Sequence, residues 1–475
     1  MTGIAGVGAY APRFRVTAEA FEDAWGRFDA SGVERKAVPD ADEDALTMAY
    51  EAAIRALDAA DVDAAAVDAL AFATTTPPLE ETDLTARLGA MLGVGETAVR
   101  RSFSDSTRAG TQALSIAFDA AARGDVTLAV ASDCPTGHPD SAEEHAAGAG
   151  AAAFVVADDG PATLRDRAEY ATPAPGTRFR RRGSEDVEGL DVTEYDRTTF
   201  REALSGAVGA LDADPEPDAA AVQAPNGALP YRAAGDLGVD SETIHACATV
   251  QDLGDTGAAS VPLSLARALA DGGETVLAAS YGSGAGADAL VVDAPAAVPA
   301  DLALDGEAEL SYSAYLRRRG DITGGPPAGG GAYVSVPSWR RTIDQRYRLV
   351  AGKCPECGEL TIPPEGACNG CHALVEFERM PLPGTGTVEG ATTIGSGGAP
   401  PEFADQAARS GEFSVAVVAF DGPDGEQSVS LPAQVVGTGT DDASVGDRVE
   451  ATIRRIYEQE GVPRYGTKVL PITNS

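Results

Sequence analysis

The chain has 475 residues, with 73 Asp plus Glu against 36 Lys plus Arg and a formal net charge of −37. At roughly 150 residues per domain this is room for about three domains, which excludes a small disulfide-stapled or metal-only fold. The charge argues against sequence-independent binding to nucleic acid or to an anionic membrane face, so any anionic ligand needs a local basic pocket.

Lysine is confined to Lys36, Lys353 and Lys468, while acidic residues spread along the whole length. That pattern suits a protein in concentrated salt, where surface repulsion is screened. The expectation is a halophilic cytoplasm. Apolar runs such as Val126–Ala131 and Val276–Ala279 are strand-sized, far short of the roughly 20 residues that span a bilayer. Met1–Ala11 lacks the basic start and long apolar run of a signal peptide, so the chain is expected to stay inside the cell and its cysteines read as thiols or ligands.

In chain order, Asp44–Leu57 and Thr111–Ala122 have the spacing of amphipathic helices. Thr127–Ser132 (TLAVAS) leads to Gly148–Val156 (GAGAAAFVV), and Thr275–Ser280 (TVLAAS) leads to Gly284–Val292 (GAGADALVV). Each pair reads as strand, Gly-rich turn, strand, with runs continuous enough to be covered on both faces. A duplicated α/β unit follows, against the alternative of coincidence in an Ala/Gly-rich sequence. Helical pattern continues through Ser311–Arg319, and Gly324–Gly331 (GGPPAGGG) reads as a flexible linker. Strand-like runs at Gly386–Ile394, Phe413–Phe420, Gln427–Val436 and Arg448–Tyr457, separated by Gly/Pro/Asp turns, suggest a small barrel. The expected limits are a first domain over 1–320, a linker over 321–344, a cysteine ribbon over 345–378 and a barrel over 379–475.

Cys354-Pro-Glu-Cys357 and Cys368-Asn-Gly-Cys371 form two CxxC knuckles ten residues apart. Four thiolates can then meet around one tetrahedral Zn²⁺, a structural site because four sulfurs leave no open coordination position. The competing disulfide reading is weak in a reducing compartment. His372, beside the last cysteine, reads as a bystander.

Gly6–Arg15 (GVGAYAPRFR), the Gly32–Met48 region, Arg108–Leu114 (RAGTQAL), Pro225-Asn226-Gly227, Gly254–Ser260 (GDTGAAS) and Tyr281–Ala289 (YGSGAGADA) together resemble the thiolase superfamily. The likeness is greatest to the archaeal branch of 3-hydroxy-3-methylglutaryl-CoA (HMG-CoA) synthases. It implies a duplicated α/β/α/β/α fold, a homodimer, and a CoA or acyl-CoA ligand near Asn226, Ser283 and Gly284. From about Arg346 the chain resembles the zinc-ribbon and OB-fold domain that accompanies these enzymes, with Val462–Pro471 (VPRYGTKVLP) as its close. In that family the domain is thought to hold acyl-CoA and join two enzymes, which implies a thiolase partner.

Synthases of this kind need a cysteine nucleophile, a histidine at the acyl group and a glutamate acid/base. This sequence departs at all three places: Thr107 stands where the family has cysteine, Gln223 where it has histidine, and Thr75 where it has glutamate. Asp255 replaces the family's usual Asn, turning an amide donor into a carboxylate acceptor. Two functions are therefore expected to compete. One is an acyl-CoA-binding scaffold or channelling partner of a thiolase; the other is an acyltransferase or HMG-CoA synthase of altered mechanism, acting through Ser106 or Thr107 and still serving acetoacetyl-CoA condensation in isoprenoid synthesis.

Glu143, Glu144 and His145 are the replacement acid/base candidates, although such a cluster more often forms a solvated loop. Cys134 and Cys247 sit away from the family's cysteine position and read as small buried hydrophobes. The arginine clusters at Arg178, Arg180, Arg181, Arg182 and at Arg317, Arg318, Arg319 suit either CoA phosphates or surface carboxylates.

Overall fold

The computed structural model describes residues 2–190, 192–212, 214–323, 334–395, 398–400, 403–425, 427–437 and 443–472, which divide into two units, Met1–Tyr315 and Leu316–Ser475. The first unit holds two main sheets and a small third one, Ala308–Glu309, Phe14–Thr17, Arg35–Val38. Of the main sheets, one runs Ala300–Ala303, Thr2–Tyr10, Gly150–Asp158, Thr127–Asp133, Ala69–Ala73, Val99–Phe103 from edge to edge; the other runs Thr163–Ala171, Gly286–Asp293, Thr275–Gly282, Ala219–Val222. Thr127–Asp133 pairs antiparallel with Gly150–Asp158 and parallel with Ala69–Ala73. Thr275–Gly282 repeats this, antiparallel with Gly286–Asp293 and parallel with Ala219–Val222. The expected duplication is thus present as topology.

Helices Ala109–Ala121 and Ser260–Ala270 precede the equivalent strands of the two halves. Their buried residues, among them Ala113, Leu114, Val261 and Leu265, share one core with Ala71 and Ala129 of the first sheet and Ala278 and Leu290 of the second. Small side chains let these layers approach closely. At Gly110 a Cβ would lie 2.1 Å from the Ala258 carbonyl oxygen, so only glycine fits there. Outside the first sheet lies helix Ala45–Ala59, started by Asp44, whose carboxylate accepts from the Leu46 and Thr47 N–H groups. The arrangement is the layered α/β/α/β/α fold that the sequence resemblance implied.

Two expectations need correction. The second half has its strand–turn–strand: Gly286, at φ 117°, allows the chain to reverse between Gly282 and its partner strand. The first half does not. Residues 134–149 instead carry the short helix Ala142–Ala146, capped by the Ser141 hydroxyl, so the reversal there is a built loop and not a turn. The second correction concerns the linker. Gly324–Gly331 lies outside the described residues, but within the rest of that interval Val336–Arg341 is helical and Ile343–Arg348 begins a second helix. Ser335 accepts from the Ser338 N–H and a proline occupies the first turn, both helix-starting features.

In the second unit, Leu360–Thr361, Val350–Lys353 and Glu378–Pro381 make a small antiparallel sheet. Beyond it a closed barrel forms from Thr385–Ile394, Phe413–Asp421, Ser428–Val435, Val462–Pro471 and Arg448–Gln459 in that order. Val388, Val418, Phe420, Val449 and Val469 fill its interior. The residues that suggested the family resemblance, Val462–Pro471, supply the fifth strand. None of the described helices is long and apolar enough to cross a membrane.

Candidate functional site

The strand ends at Phe103, Val222 and Gly282 and the loops beyond them frame a cavity of about 630 Å³ in the first unit. That is the size range of small-molecule sites. Thr107, Gln223, Asn226, Asp255, Ser283 and Arg178 all line it. Three of the motifs that carry the resemblance, Pro225-Asn226-Gly227, Gly254–Ser260 and Tyr281–Ala289, therefore converge there, although they are scattered over the sequence.

Thr107 lies just before helix Ala109–Ala121. A thiol there would be acidified by the helix N-terminus. The threonine hydroxyl instead donates to the Tyr281 backbone carbonyl. A carbonyl oxygen orients a hydroxyl and cannot take its proton, so this contact does not make a nucleophile. Gln223, 1% exposed, continues the strand Ala219–Val222 and donates its amide N–H to the Gly257 carbonyl at 3.0 Å. Its other amide atom, Oε1, has no hydrogen-bond partner among the described residues.

Asp255 is fixed by its own surroundings. Its Oδ1 accepts from the Gly257 N–H at 2.9 Å and its Oδ2 is bound by Arg178 Nη1. The charge that would have opposed an enolate is thus met by a guanidinium, itself largely buried. Arg178 also donates its backbone N–H to Ser283 Oγ at 3.1 Å. Asn226 serves the backbone: its Oδ1 accepts from the Ala228 and Leu229 N–H groups and starts the turn Leu229–Arg232.

Thr75 is not on the cavity wall. With Thr74 and Thr76 it surrounds the buried carboxylate of Asp133, which accepts from all three hydroxyls, from the Thr75 and Thr76 N–H groups and from the Ala258 N–H. Asp133 thereby clamps the segment that carries Gly257 to the loop after Ala69–Ala73 that carries Thr75. Sequence reading missed this residue. The available signal was an acidic group ending an otherwise apolar run, TLAVASD. Also missed were Arg197 and Arg232, which line the cavity and are the cations available to a phosphate there. Arg180 is not among the lining residues; it sits near Asp133 and Cys134, and burial pulls its pKa down. Gly284 occupies the turn after Ser283 at φ 73°.

Glu144 and His145 overturn the solvated-loop reading, since both are 0% exposed. Tyr312 donates to both carboxylate oxygens of Glu144 at 3.1 Å, and Lys36 Nζ binds the Glu144 carbonyl and the Tyr315 hydroxyl. His145 Nδ1 accepts from the Asp29 N–H at 2.9 Å, and burial lowers its pKa. Of that cluster only Glu143 lines the cavity. Neither remaining cysteine offers a thiolate: burial pushes Cys134 up to about 12, with Asp44 adding to it, and burial pushes Cys247 up to about 12 as well. Three of the outer arginines are engaged with carboxylates or neighbouring side chains. Arg181 pairs with Glu188 at 2.9 Å, Arg319 with Asp321 at 3.0 Å, and Arg318 donates to Ser410 Oγ at 3.4 Å.

In the second unit, Cys354, Cys357, Cys368 and Cys371 bring their sulfurs within 4.8 Å of one another, with Cys354–Cys371 at 3.7 Å and Cys357–Cys368 at 3.5 Å. Four sulfurs at about 2.3 Å from a tetrahedral Zn²⁺ stand about 3.8 Å apart, so the donor set fits that ion. The N–H groups of Cys371 and Gly370 favour the Cys368 thiolate that a metal requires, while Cys357 and Cys371, which share protons with it, are pushed up. Zinc here would tie the two knuckles together and expose no reactive position. His372 is outside the sulfur cluster.

Residues 341–378 match the family of ChsH2 rubredoxin-like zinc ribbon domains. Among solved structures, an HMG-CoA synthase complexed with CoA covers 70% of this chain and 94% of its own, with a TM-score of 0.60 at 18% identity. A 3-oxoacyl-(acyl carrier protein) synthase III from Pseudomonas aeruginosa covers 63% and 99%, with a TM-score of 0.55 at 20% identity. Both show the fold. In sequence, the hydroxymethylglutaryl-CoA synthase of Archaeoglobus fulgidus is 30% identical over 342 residues, 68% of this chain and 99% of the relative. That of Aeropyrum pernix is 31% identical over 343 residues, 67% and 94%. With its two-sheet fold, its converging motifs and relatives matched almost end to end, the chain belongs to the hydroxymethylglutaryl-CoA synthase family and carries a zinc ribbon and a five-stranded barrel behind it.

Proposed function

We propose that this chain binds an acyl-CoA in the 630 Å³ cavity without forming an acyl-enzyme, and acts as a scaffold or channelling partner of a thiolase in acyl-CoA metabolism. One observation carries the reading: the side chains at the family's nucleophile and histidine positions, Thr107 and Gln223, both spend their donors on backbone carbonyls. Neither contact leaves a group that can attack a thioester or accept a proton. The CoA complex of a structural neighbour supports the ligand class, and Arg197 and Arg232 supply the cations its phosphates need. The ribbon and barrel fused behind the synthase-like unit support the bridging role, and a homodimer through the first unit completes it. Lys36 and Lys468 are both buried, which leaves the surface almost free of lysine and supports a salt-rich cytoplasm as the working medium.

A second reading, an acyltransferase of altered mechanism, draws on Glu143 at the cavity wall. The two separate in one assay. With acetyl-CoA and acetoacetyl-CoA in molar salt, purified protein is expected to bind thioester and release no CoA above the uncatalysed rate. Turnover that Glu143→Gln abolishes would establish the second reading.

A further inference from the structure

Helix Ala142–Ala146 has five residues, too few to hold itself in place, so its position depends on what it packs against. Its two sides differ. Ala142, Glu143 and Ala146 share one face at helical spacing and line the cavity. Glu144 and His145 fall on the opposite face and are 0% exposed. Behind that face stands the end of the first unit, where the Tyr312 hydroxyl donates to both carboxylate oxygens of Glu144 at 3.1 Å and the Tyr312 ring packs edge-on against Phe21 and Trp25. His145 Nδ1 accepts from the N–H of Asp29, which also lines the cavity. The helix then leads to the cavity's ion pair: the Ala146 carbonyl accepts from the Asp255 N–H at 2.7 Å and the Asp255 carbonyl accepts from the Gly148 N–H at 2.9 Å, while the Asp255 carboxylate holds Arg178. One unbroken set of contacts therefore runs from Tyr312, which does not line the cavity, through Glu144 and Asp255 to Arg178, which does.

We propose that Tyr312 is a positioning residue of the cavity: its hydroxyl fixes Glu144, and so sets the helix that carries Glu143 and Ala146 and the register of the Asp255–Arg178 pair. A buried carboxylate that loses a donor finds another or moves, and a five-residue helix moves with it. Groups at a binding site keep their geometry only when the residues behind them are fixed. This inference rests on the reading of the cavity as an acyl-CoA site and concerns how that site is held.

Tyr312→Phe removes the hydroxyl and keeps the ring. Two measurements on the full chain in molar salt test it, calorimetric titration with CoA at a temperature where the melting curve shows the variant folded, and amide hydrogen exchange of the ligand-free protein. The variant is expected to bind CoA about tenfold more weakly, in line with the loss of a hydrogen bond to a charged group. Exchange at Gly148 and Asp255, whose N–H groups bond across the loop, is expected to quicken about tenfold more than exchange in the strand Thr127–Asp133. Unchanged CoA affinity in the variant, with the wild type binding, overturns the proposal. Equal quickening at both places also overturns it, because the hydroxyl would then support the fold as a whole and not the wall. Failure of the wild type to bind CoA overturns the acyl-CoA reading instead, and the exchange comparison then decides alone whether Tyr312 sets the loop.

Discussion

The cysteine knuckles gather their side chains from one short stretch and the cavity gathers its own from distant parts of the chain, and they differ in what they keep. The knuckles hold a complete donor set: four sulfurs at metal-binding separation, with nothing substituted. The cavity, as proposed above, keeps its family's fold without the family's reactive groups. Thr107, Gln223 and Asp255 each stand at the wall, and each is anchored to backbone or to an arginine. A metal site survives only if its donors survive, because the ligands are the structure. A catalytic pocket can lose its chemistry and keep its shape, because hydrogen bonds from substituted residues fill the same places.

The largest effect is expected at the knuckles. Cys368→Ser removes one of four thiolates, and sites of this type contribute roughly 10–16 kcal/mol when the metal binds. Zinc should fall from one per chain toward none by metal analysis, with the sheet around Val350–Lys353 losing amide protection while the first unit keeps its own. Full zinc occupancy in the variant would break the comparison from that side.

At the cavity, Asp255→Ala strands Arg178, whose side chain is 20% exposed. Leaving a largely buried charge unpaired is expected to destabilise the first unit by about 2–3 kcal/mol, below the loss at a fully buried pair. Chemical denaturation measures it. Asp255→Ala combined with Arg178→Leu should recover most of the loss, and an undiminished loss in the double variant would show that Asp255 acts through its backbone contact instead.

A smaller effect concerns His145, whose pKa burial lowers from its ordinary value of 6.5. The native state then resists a proton that the unfolded chain accepts. Stability is therefore present above pH 6.5 and falls as pH drops below it. The slope should appear in melting curves between about pH 6.5 and 5, before ordinary carboxylates titrate, and His145→Gln should flatten it. The smallest expected effect is on alkylation. Cys134 and Cys247, each pushed up to about 12 by burial, should react far more slowly at pH 8 than a free cysteine, read by peptide mapping; fast labelling of Cys134 would make it a displaced nucleophile.

How much of this was legible in the sequence depended on where the information lies. The CxxC knuckles are local, so spacing alone gave the ligand set. The paired strands around Asp133 and Gly282 were legible as repeated apolar runs, because strands covered on both faces leave continuous patterns. The cavity was legible only through resemblance. Thr107, Gln223 and Asp255 are far apart in sequence, and no periodicity links them. Glu144 and His145 misled because acidic residues in an acidic protein look solvent-facing; what buries them is the ring of Phe21, Phe28, Tyr312 and Tyr315, drawn from both ends of the first unit. Asp133 was hidden for a related reason, since its partners are three consecutive threonines and a distant backbone N–H.

The claim that this cavity binds thioester and does not react with it comes down to the state of one hydroxyl. Mass spectrometry of the chain with excess acetyl-CoA, recorded first native from volatile salt and then denatured, reads binding and acylation in one sample. The expected result is a non-covalent complex in the native spectrum and the unmodified chain mass after denaturation. An acetyl group retained on Thr107 or Ser106 through denaturation would contradict the account.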